Sequence, residues 1–275
     1  MIEIPEAIAL SQQINDTLIG KKISKVLANG SPHKFAWFFG EPEEYHEKLA
    51  GKTIDESIAF GGYVEIILGS TRLVFGDGVN LKVLYKDEKI PKKHQLLIEF
   101  EDNSLLIASV QMYGGMWCFE EGEFENIYYE IAKEKPSPLS EKFDYDYYKK
   151  IISHEEVQNK SAKALLATEQ RIPGLGNGVL HDILFNARIN PKRKVSSFSQ
   201  DEIDKLYESI KSTLHEMTLK GGRDTEKDLF GCSGGYKTIL SKKTYKEPCK
   251  ICGGNIIKKA YLGGSIYYCK SCQPE

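Results

Sequence analysis

The sequence predicts an α+β protein with several domains: an N-terminal β-sandwich with a leading helix, then a helical domain, then a small module held by four cysteines. Short runs of β-branched and aromatic residues, broken by Gly, Asp and Asn, fill 52–119 and are typical of strands. Helical periodicity follows the proline-rich segment 135–140, and four of the six cysteines lie beyond it, near the C-terminus. From these changes of pattern we expect domains at 1–134, 135–225 and 226–275.

The first predicted element is a helix over 5–19. Pro5 suits the first turn of a helix, where its missing N–H would have no partner, and Gly20 supplies a stop. The apolar residues that recur between them at helical spacing are Ala7, Leu10, Ile14 and Leu18. In the strand region, Glu101–Ser104 is rich in turn-forming residues and predicts a hairpin connection between two strands.

The clearest helix of the second domain is predicted over 199–220. Ser199 and Glu202 have the spacing of a capping box, in which each side chain satisfies a backbone N–H of the other residue. One apolar face follows, formed by Ile203, Leu206, Tyr207, Ile210, Leu214 and Met217. The helix ends at "KGGRD", where two glycines stop it.

Four cysteines predict a metal site near the C-terminus. The pairs Cys249-x2-Cys252 and Cys269-x2-Cys272 are separated by sixteen residues, which is the spacing of a four-thiolate zinc site. Four thiolates leave no ligand position for water, so we expect one structural Zn²⁺. The alternative is that these cysteines are free or disulfide-bonded.

The composition excludes some classes of protein and leaves the partner open. No stretch reaches the ~18 apolar residues that a membrane helix needs, and 1–20 lacks the pattern of a secretory signal. We therefore expect a cytoplasmic protein, monomeric by default, in which Cys118 and Cys232 are packed thiols. The net charge of −2 does not by itself indicate a nucleic-acid partner.

The charge is unevenly distributed along the chain. Eight lysines, Lys258 and Lys259 among them, and a single acidic residue, Glu247, lie between Lys237 and Lys270, interleaved with tyrosines. This pattern is typical of a surface that contacts phosphates. A solvated lysine-rich face would give the same pattern, so charge alone leaves both interpretations open.

The stretch "EQRIPGLGNGVLHDILFNARINPKRKV" (169–195) carries the strongest motif. Gly174 and Gly176 let the backbone approach a ligand closely, and a helix that opens at Asn177 would present free N–H groups to an anion. Asn177 itself could cap this helix or donate its amide to a phosphate. Taken alone, the turn does not identify a function, because glycine turns more often only reverse the chain.

The chain resembles the formamidopyrimidine-DNA glycosylase and endonuclease VIII family over essentially its full length. "EIPE" at 3–6 is similar to the family's opening motif, "PGLGNGVLHDILFNARINP" to its helix–two-turn–helix, and "CKIC…YYCKSCQ" to its zinc finger. The resemblance implies that 135–225 is a helix–two-turn–helix DNA-binding domain and that double-stranded DNA is held across a cleft between two domains. It also implies removal of oxidised bases and cleavage at the resulting abasic site.

The position of the family's reactive amine is changed in this sequence. In that family the mature chain begins with proline, whose secondary amine attacks the sugar C1′ and forms an imine. Ile2 stands at the matching position, and its bulk should preserve Met1, which leaves a primary amine displaced by one residue. Glu3 matches a carboxylate near the reacting sugar, and Glu6 matches a second acidic position. Glu3 would equally suit an ordinary role beside a helix N-terminus.

Positions that the resemblance assigns to DNA contacts are also changed. Gly62 stands where a phosphate-binding lysine is expected, and Gly264 stands where the zinc finger carries an arginine. The region of a third expected arginine reads "SVQMYGG", in which Met112 or Tyr113 could wedge between bases. Segment 222–240 departs from the pattern of a base-sensing loop, so no particular lesion is indicated.

We therefore predict a zinc-finger protein that binds damaged or abasic duplex DNA with reduced or absent glycosylase and lyase chemistry. Its expected DNA contacts are Gly174, Gly176, Asn177, Lys258, Lys259, Met112 and Tyr113. An active glycosylase is the main alternative, with the Met1 amine or water activated by Glu3 as its nucleophile. A zinc-ribbon module that binds protein or RNA is another, since the acidic segments 41–47 and 120–134 would fit partner surfaces.

Overall fold

The computed structural model covers residues 1–275 and contains nine strands, eight α-helices and two short 3₁₀ helices. The α-helices are α1 (Ile4–Leu18), α2 (Tyr45–Leu49), α3 (Ile127–Glu134), α4 (Tyr145–Ser153), α5 (Glu155–Gln158), α6 (Ala162–Ala167), α7 (Leu180–Asn186) and α8 (Gln200–Leu219). The strands are β1 (Ile23–Ala28), β2 (Ala36–Trp37), β3 (Glu56–Phe60), β4 (Tyr63–Leu68), β5 (Thr71–Leu84), β6 (Leu96–Phe100), β7 (Leu105–Glu120), β8 (Ile256–Tyr261) and β9 (Gly264–Cys269). A membrane-crossing helix is absent, because each helix is too short or too polar.

The first seven strands form one sheet in the order β1-β6-β7-β5-β4-β3, antiparallel throughout, with β2 added in parallel to β7. The two longest strands, β5 and β7, pair along most of their length, and their register shifts between Asp77 and Val79. Opposite this shift, residues 111–113 bulge out of β7, because the paired positions jump from Val110 to Gly114. The predicted β-domain with a leading helix is confirmed, and its strands form a single continuous sheet.

Local sequence signals located several elements correctly. The N-terminal helix spans Ile4–Leu18, within one residue of its predicted bounds at each end. Helix α8 follows the predicted capping box, in which the Glu202 N–H donates to the Ser199 hydroxyl and the Ser199 N–H donates to the Glu202 carboxylate. The predicted hairpin joins β6 and β7 and turns at Asn103, whose φ is +64°.

Two hydrophobic cores hold the chain together, one inside the β-domain with 27 buried residues and one among the helices with 22. Near its start the chain passes from one to the other, since Ile2 is buried in the first core and Ile4 in the second. Near its end it returns, because Leu229 is buried in the β-domain core and accepts the N–H of Val83 at 2.8 Å. Residues 1–6 therefore lie at the junction of the two cores.

The two cysteines outside the C-terminal cluster differ from each other. Cys118 in β7 is buried, as predicted. The prediction that Cys232 is a packed thiol is wrong, because this residue is exposed. The reason is local: the N–H of Cys232 donates to Asp228 Oδ1 at 2.7 Å within a turn, and turns lie at the surface.

Candidate nucleic-acid interface

The N-terminal residues are anchored where the two cores meet. The N–H of Ile2 donates to the Asp77 carbonyl at 2.7 Å, and the N–H of Ile4 donates to the Gly174 carbonyl at 3.1 Å. The Ile2 side chain is only 5% exposed and packs in the β-domain core. Position 2, where the resemblance expects a reactive proline, is therefore used for packing.

Glu3 joins the N-terminus to the turn that contains Gly174 and Gly176, called the glycine turn below. Its two carboxylate oxygens accept the N–H groups of Gly178 and Val179, each at 2.8 Å. These residues directly precede α7, so Glu3 contacts the N-terminus of a helix, although it makes no such contact with its own helix α1. Burial raises the pKa of Glu3, and the nearby charge of Arg223 opposes this effect. Because both oxygens already have partners, Glu3 is part of the scaffold of the site.

Arg223 is a site residue that the sequence reasoning missed. It follows α8 directly after two glycines and is 2% exposed. Its Nε and Nη2 donate to the two carboxylate oxygens of Glu6 at 2.9 and 2.7 Å, and its Nη1 lies 3.5 Å from Glu3 Oε2. Burial alone would lower the pKa of the Arg223 guanidinium. The nearby carboxylates of Glu3 and Glu6 have the larger combined effect, so its pKa is raised. The available sequence signal was a single basic residue after a double glycine.

The terminal amine is held in an ion pair. The Met1 ammonium nitrogen lies 2.5 Å from Glu226 Oε2. The Met1 carbonyl accepts a hydrogen bond from Arg223 Nη2 at 3.4 Å, which fixes the direction of the chain end. The structure thus places the primary amine against a carboxylate.

A cavity of about 150 Å³ opens beside the N-terminus, between the β3–β4 hairpin and the glycine turn. Its walls include Met1, Glu3, Gly62, Asp77, Gly174 and Gly176. The structure therefore brings both predicted catalytic candidates together with two of the predicted glycines and with the position of the missing lysine. At Gly62 an added Cβ would lie 3.0 Å from the Ile2 carbonyl oxygen, so this position directly adjoins the N-terminal segment.

Gly174 makes the closest contact between the glycine turn and the β-domain. Its φ is +75°, and a Cβ at this position would lie 2.1 Å from the carbonyl carbon of Gly61. Glycine is thus required here both for the backbone conformation and for the close approach of two backbones. This contact holds the turn against the β3–β4 hairpin.

We expect Gly174→Ala to destabilise the protein by more than backbone strain alone. Gly51→Ala is the matched control, since its φ is +78° and nothing lies within 4 Å of the added Cβ. The control should lose about 1–2 kcal/mol from left-handed strain, whereas Gly174→Ala should lose a further ~1–3 kcal/mol as the turn is pushed off the hairpin. Urea unfolding measures both free energies. Equal losses would show that the close approach contributes nothing.

Asn177 does not cap a helix. Helix α7 begins at Leu180 with Val179 as its N-cap residue, so the prediction that Asn177 opens or caps the helix is wrong. The physical reason is that the turn continues past Asn177, with the Leu180 N–H donating to the Gly176 carbonyl at 3.3 Å. The Asn177 Nδ2 donates to the Ser265 carbonyl of β9 at 2.9 Å, and its buried Oδ1 has no partner. The side chain links the turn to the C-terminal module.

Lys163 supplies a cation where the resemblance expects an arginine. A Cβ added to Gly264 would lie 3.5 Å from Lys163 Nζ and 3.4 Å from Asn177 Nδ2. Lys163 is 3% exposed, donates to the Tyr261 carbonyl at 2.7 Å, and has a pKa that burial lowers. The sequence reasoning missed it because a single lysine in "SAKALL" reads as part of an ordinary helix.

The other predicted DNA contacts lie away from this cavity. Lys258 and Lys259 are exposed on β8. Met112 is 70% exposed in the bulge of β7, and the neighbouring Tyr113 ring lies 5.8 Å from the Trp37 ring. None of the four predicted residues lines the cavity beside the N-terminus. Their role in DNA contact stays a prediction.

The four C-terminal cysteines converge on one point. Their sulfur atoms all lie within 4.8 Å of one another, with 3.8 Å between the Sγ atoms of Cys249 and Cys272 and 3.4 Å between those of Cys252 and Cys269. Tetrahedral Zn–S bonds of about 2.3 Å would place the sulfurs about 3.8 Å apart. The N–H of Cys249 donates to the Gly254 carbonyl at 2.7 Å and closes a tight knuckle around the first pair. The cluster can therefore bind a metal ion.

Comparison with known proteins identifies the family. The family model of the formamidopyrimidine-DNA glycosylase H2TH domain matches residues 135–228. A formamidopyrimidine-DNA glycosylase of Bacillus anthracis is 29% identical over 284 residues, with 100% of both chains covered. Another, of a Wolbachia from Brugia malayi, is 29% identical over 283 residues, covering 99% of this chain and 100% of the relative. The chain belongs to the formamidopyrimidine-DNA glycosylase and endonuclease VIII family.

Solved structures named as members of this family share the fold. The MutM (Fpg) protein of Thermus thermophilus has a TM-score of 0.80 and 22% identity, with 99% of both chains covered. The Lactococcus lactis Fpg in complex with DNA containing an abasic site has a TM-score of 0.82 and 23% identity, covering 99% of this chain and 100% of that one. A β-domain with a leading helix, an H2TH domain and a four-cysteine cluster are the fold class that the sequence predicts, and this fold class is confirmed.

Proposed function

We propose that this chain binds damaged or abasic double-stranded DNA at the junction of its two cores without forming an imine with the sugar. The observation that carries the proposal is the state of the N-terminus. Ile2 is packed in a core, and the Met1 ammonium is paired with Glu226 at 2.5 Å. The family's chemistry needs a free amine at the position of Ile2. This chain keeps the family's scaffold while its amine is displaced and paired.

The binding part of the proposal rests on family membership and on local cations. Solved Lactococcus lactis relatives hold DNA that contains an abasic site or Fapy-dG. In this chain the buried Lys163 lies beside Asn177, whose Oδ1 lacks a partner, and eight lysines lie between Lys237 and Lys270. Phosphate contacts supply much of the affinity for DNA, so these cations support a DNA partner. A role on DNA agrees with the predicted cytoplasmic location.

The absence of a side chain at Gly62 supports reduced glycosylase and lyase activity. Gly62 lines the cavity and adjoins the Ile2 carbonyl, but it offers no charge to a phosphate. A sugar in this cavity would therefore be held by fewer contacts than in relatives with a lysine here. Since displacements of about 1 Å can cost a factor of about 100 in rate, a loosely held sugar reacts slowly.

We further propose that the cysteine cluster holds one Zn²⁺ with a structural role. Four thiolates fill a tetrahedral shell and leave no position for a reacting water. The ion would fix the β8–β9 hairpin, which supplies the Ser265 carbonyl that accepts the Asn177 amide. In this arrangement the zinc stabilises the hairpin that contacts Asn177, and it takes no part in base removal or strand cleavage.

Borohydride trapping on a duplex with one abasic site tests the proposal. We expect a gel shift that weakens as salt rises, with no covalent adduct and no strand cleavage, because no free amine reaches C1′. A relative that begins with proline is the positive control for trapping. A trapped adduct would contradict the proposal, and mass spectrometry would show whether Met1 carries it. The absence of any gel shift would instead favour protein or RNA as the partner.

A further inference from the structure

One carboxylate beside the N-terminus has no role in the features described above. Asp77 lies at the register shift of β5 with a φ of +59°, a backbone conformation that residues other than glycine rarely adopt. Its carbonyl accepts the N–H of Ile2 at 2.7 Å, so the residue is fixed against the N-terminal segment. Strained residues of this kind cluster at functional sites, where the surrounding structure holds them in place.

The Asp77 carboxylate is the unpaired acid of the cavity. Asp77 lines the cavity with Met1 and Glu3, and its pKa is raised by burial, with no hydrogen bond or opposite charge to lower it. Glu3 differs, because its oxygens are bound by two backbone N–H groups and lie near Arg223. A general base needs a lone pair that is free to accept a proton. Glu169, the third carboxylate of the cavity, is paired with Lys160 and Arg171. Of the three carboxylates, Asp77 meets this requirement.

Two phenols lie close to Asp77. Tyr63 lines the same cavity, and Tyr113 lies in the bulge of β7 opposite the register shift. Burial, followed by the charge of Asp77, raises the pKa of both phenols, so they stay protonated at neutral pH. Neutral hydroxyl groups can donate hydrogen bonds to a water molecule without competing for its proton. The surroundings of Asp77 therefore suit the activation of water.

Resting on the proposed binding of damaged DNA, we propose that Asp77 is the general base in hydrolytic removal of a damaged base. Asp77 accepts a proton from a water molecule in the cavity as the water oxygen bonds to C1′ of the damaged nucleotide. The glycosidic bond between C1′ and the base nitrogen breaks, and the base leaves with the electron pair. The base takes up the proton from Asp77, so the products are the free base and a sugar with a hydroxyl at C1′.

This reaction differs from amine chemistry in its products. Water forms no covalent adduct with the protein, and the strand stays intact at the abasic site until alkali cleaves it. The reaction consumes only DNA and water, so the pairing of Met1 with Glu226 does not hinder it. Release of the damaged base without a borohydride-trapped adduct is therefore the result that distinguishes the Asp77 mechanism.

The experiment compares Asp77→Asn with Asp87→Asn. Asp87 is the matched control, because it also has a positive φ of +73° and is exposed in the β5–β6 loop. Duplexes carrying one 8-oxoguanine, thymine glycol or uracil are incubated with each protein, and strands are analysed with and without alkali. We expect wild type and Asp87→Asn to release at least one of these bases. Asp77→Asn should release it at least ~100-fold more slowly, with an unchanged gel shift.

Several results would overturn the role of Asp77. Base release by Asp77→Asn at the wild-type rate is one, and loss of its gel shift is another, since that would assign Asp77 to binding. A wild-type protein that shifts all three duplexes and releases no base would also overturn it, while the proposed DNA binding would stand. A borohydride-trapped adduct, or the absence of any gel shift, would overturn the proposed function as well.

Discussion

Removing the proposed zinc ion from the cysteine cluster is expected to weaken DNA binding at least ~10-fold while both large cores stay folded. The core around the C-terminal module has five buried residues, of which Phe185 comes from α7 and Cys249 and Cys269 belong to the cluster. So few apolar side chains cannot stabilise a separate module. In small zinc domains the ion contributes about 10–16 kcal/mol of folding free energy. Without it, the β8–β9 hairpin should lose its structure.

Loss of the hairpin would also release the residues proposed to bind phosphate. The carbonyls of Ser265 and Tyr261 accept hydrogen bonds from Asn177 and Lys163, so both side chains would lose their anchors. Chelated protein or Cys252→Ser should therefore bind an abasic duplex at least ~10-fold more weakly, the loss that about 1.4 kcal/mol produces. Gel-shift titration measures the affinity, and far-UV circular dichroism checks that the rest of the chain stays folded.

Cys232→Ser is the matched control for the metal experiment. Like Cys252, Cys232 is exposed, but it lies outside the cluster. This variant should contain as much zinc as the wild type and bind DNA equally well. If Cys252→Ser lost its zinc and still bound the duplex with wild-type affinity, the module would not support the interface.

Replacing Arg223 with Met is expected to lower the free energy of unfolding by about 3–5 kcal/mol, the usual cost of removing one partner from a buried ion pair. Arg223 is 2% exposed, and its partners Glu3 and Glu6 are 3% and 5% exposed, so water cannot replace the guanidinium. Urea unfolding measures the loss. Lys220→Met is the control, because its ion pair with Glu216 is exposed and should contribute less than about 1 kcal/mol.

The loss in Arg223→Met should shrink as the pH falls. Burial raises the pKa of Glu3 and Arg223 opposes this effect, so removal of the guanidinium raises the pKa further. A carboxylate whose pKa is higher in the folded protein than in the unfolded one contributes stability at low pH, and this stability is lost as the pH rises through the folded value. Adding Glu6→Gln should also recover part of the loss. A loss that is independent of pH and is not reduced by Glu6→Gln would contradict the ion-pair explanation.

Short-range signals were sufficient to predict much of the fold. The capping box of α8 involves Ser199 and Glu202, and the β6–β7 hairpin turns within 101–104. The cysteine pairs frame one hairpin, so their spacing alone predicted that the four sulfurs converge. Each of these features depends on residues that are close in sequence. The helix–two-turn–helix motif (173–191) and the zinc-finger motif (249–273) are each confined to a short stretch of sequence, which is why they identified the family.

The contacts of the site depend on residues that are far apart in sequence. Arg223 binds Glu6 across 217 positions, and Gly178 donates to Glu3 across 175 positions. Asn177 was predicted to start a helix because helical residues follow it, but its partner is Ser265, 88 positions away. A local pattern does not contain such pairs, since they form only when the two cores pack together.

The sequence by itself therefore determined α1, α8, the β6–β7 hairpin, the set of possible metal ligands and the family. Only the tertiary structure decided that Ile2 is buried in a core, that Met1 is paired with Glu226, and that the Asp77 carboxylate lines the cavity unpaired. The physical reason is that the reactivity of a charged group depends on its burial and its partners. At the junction of the two cores, the burial and the partners of each group are set by segments that lie far apart in the sequence.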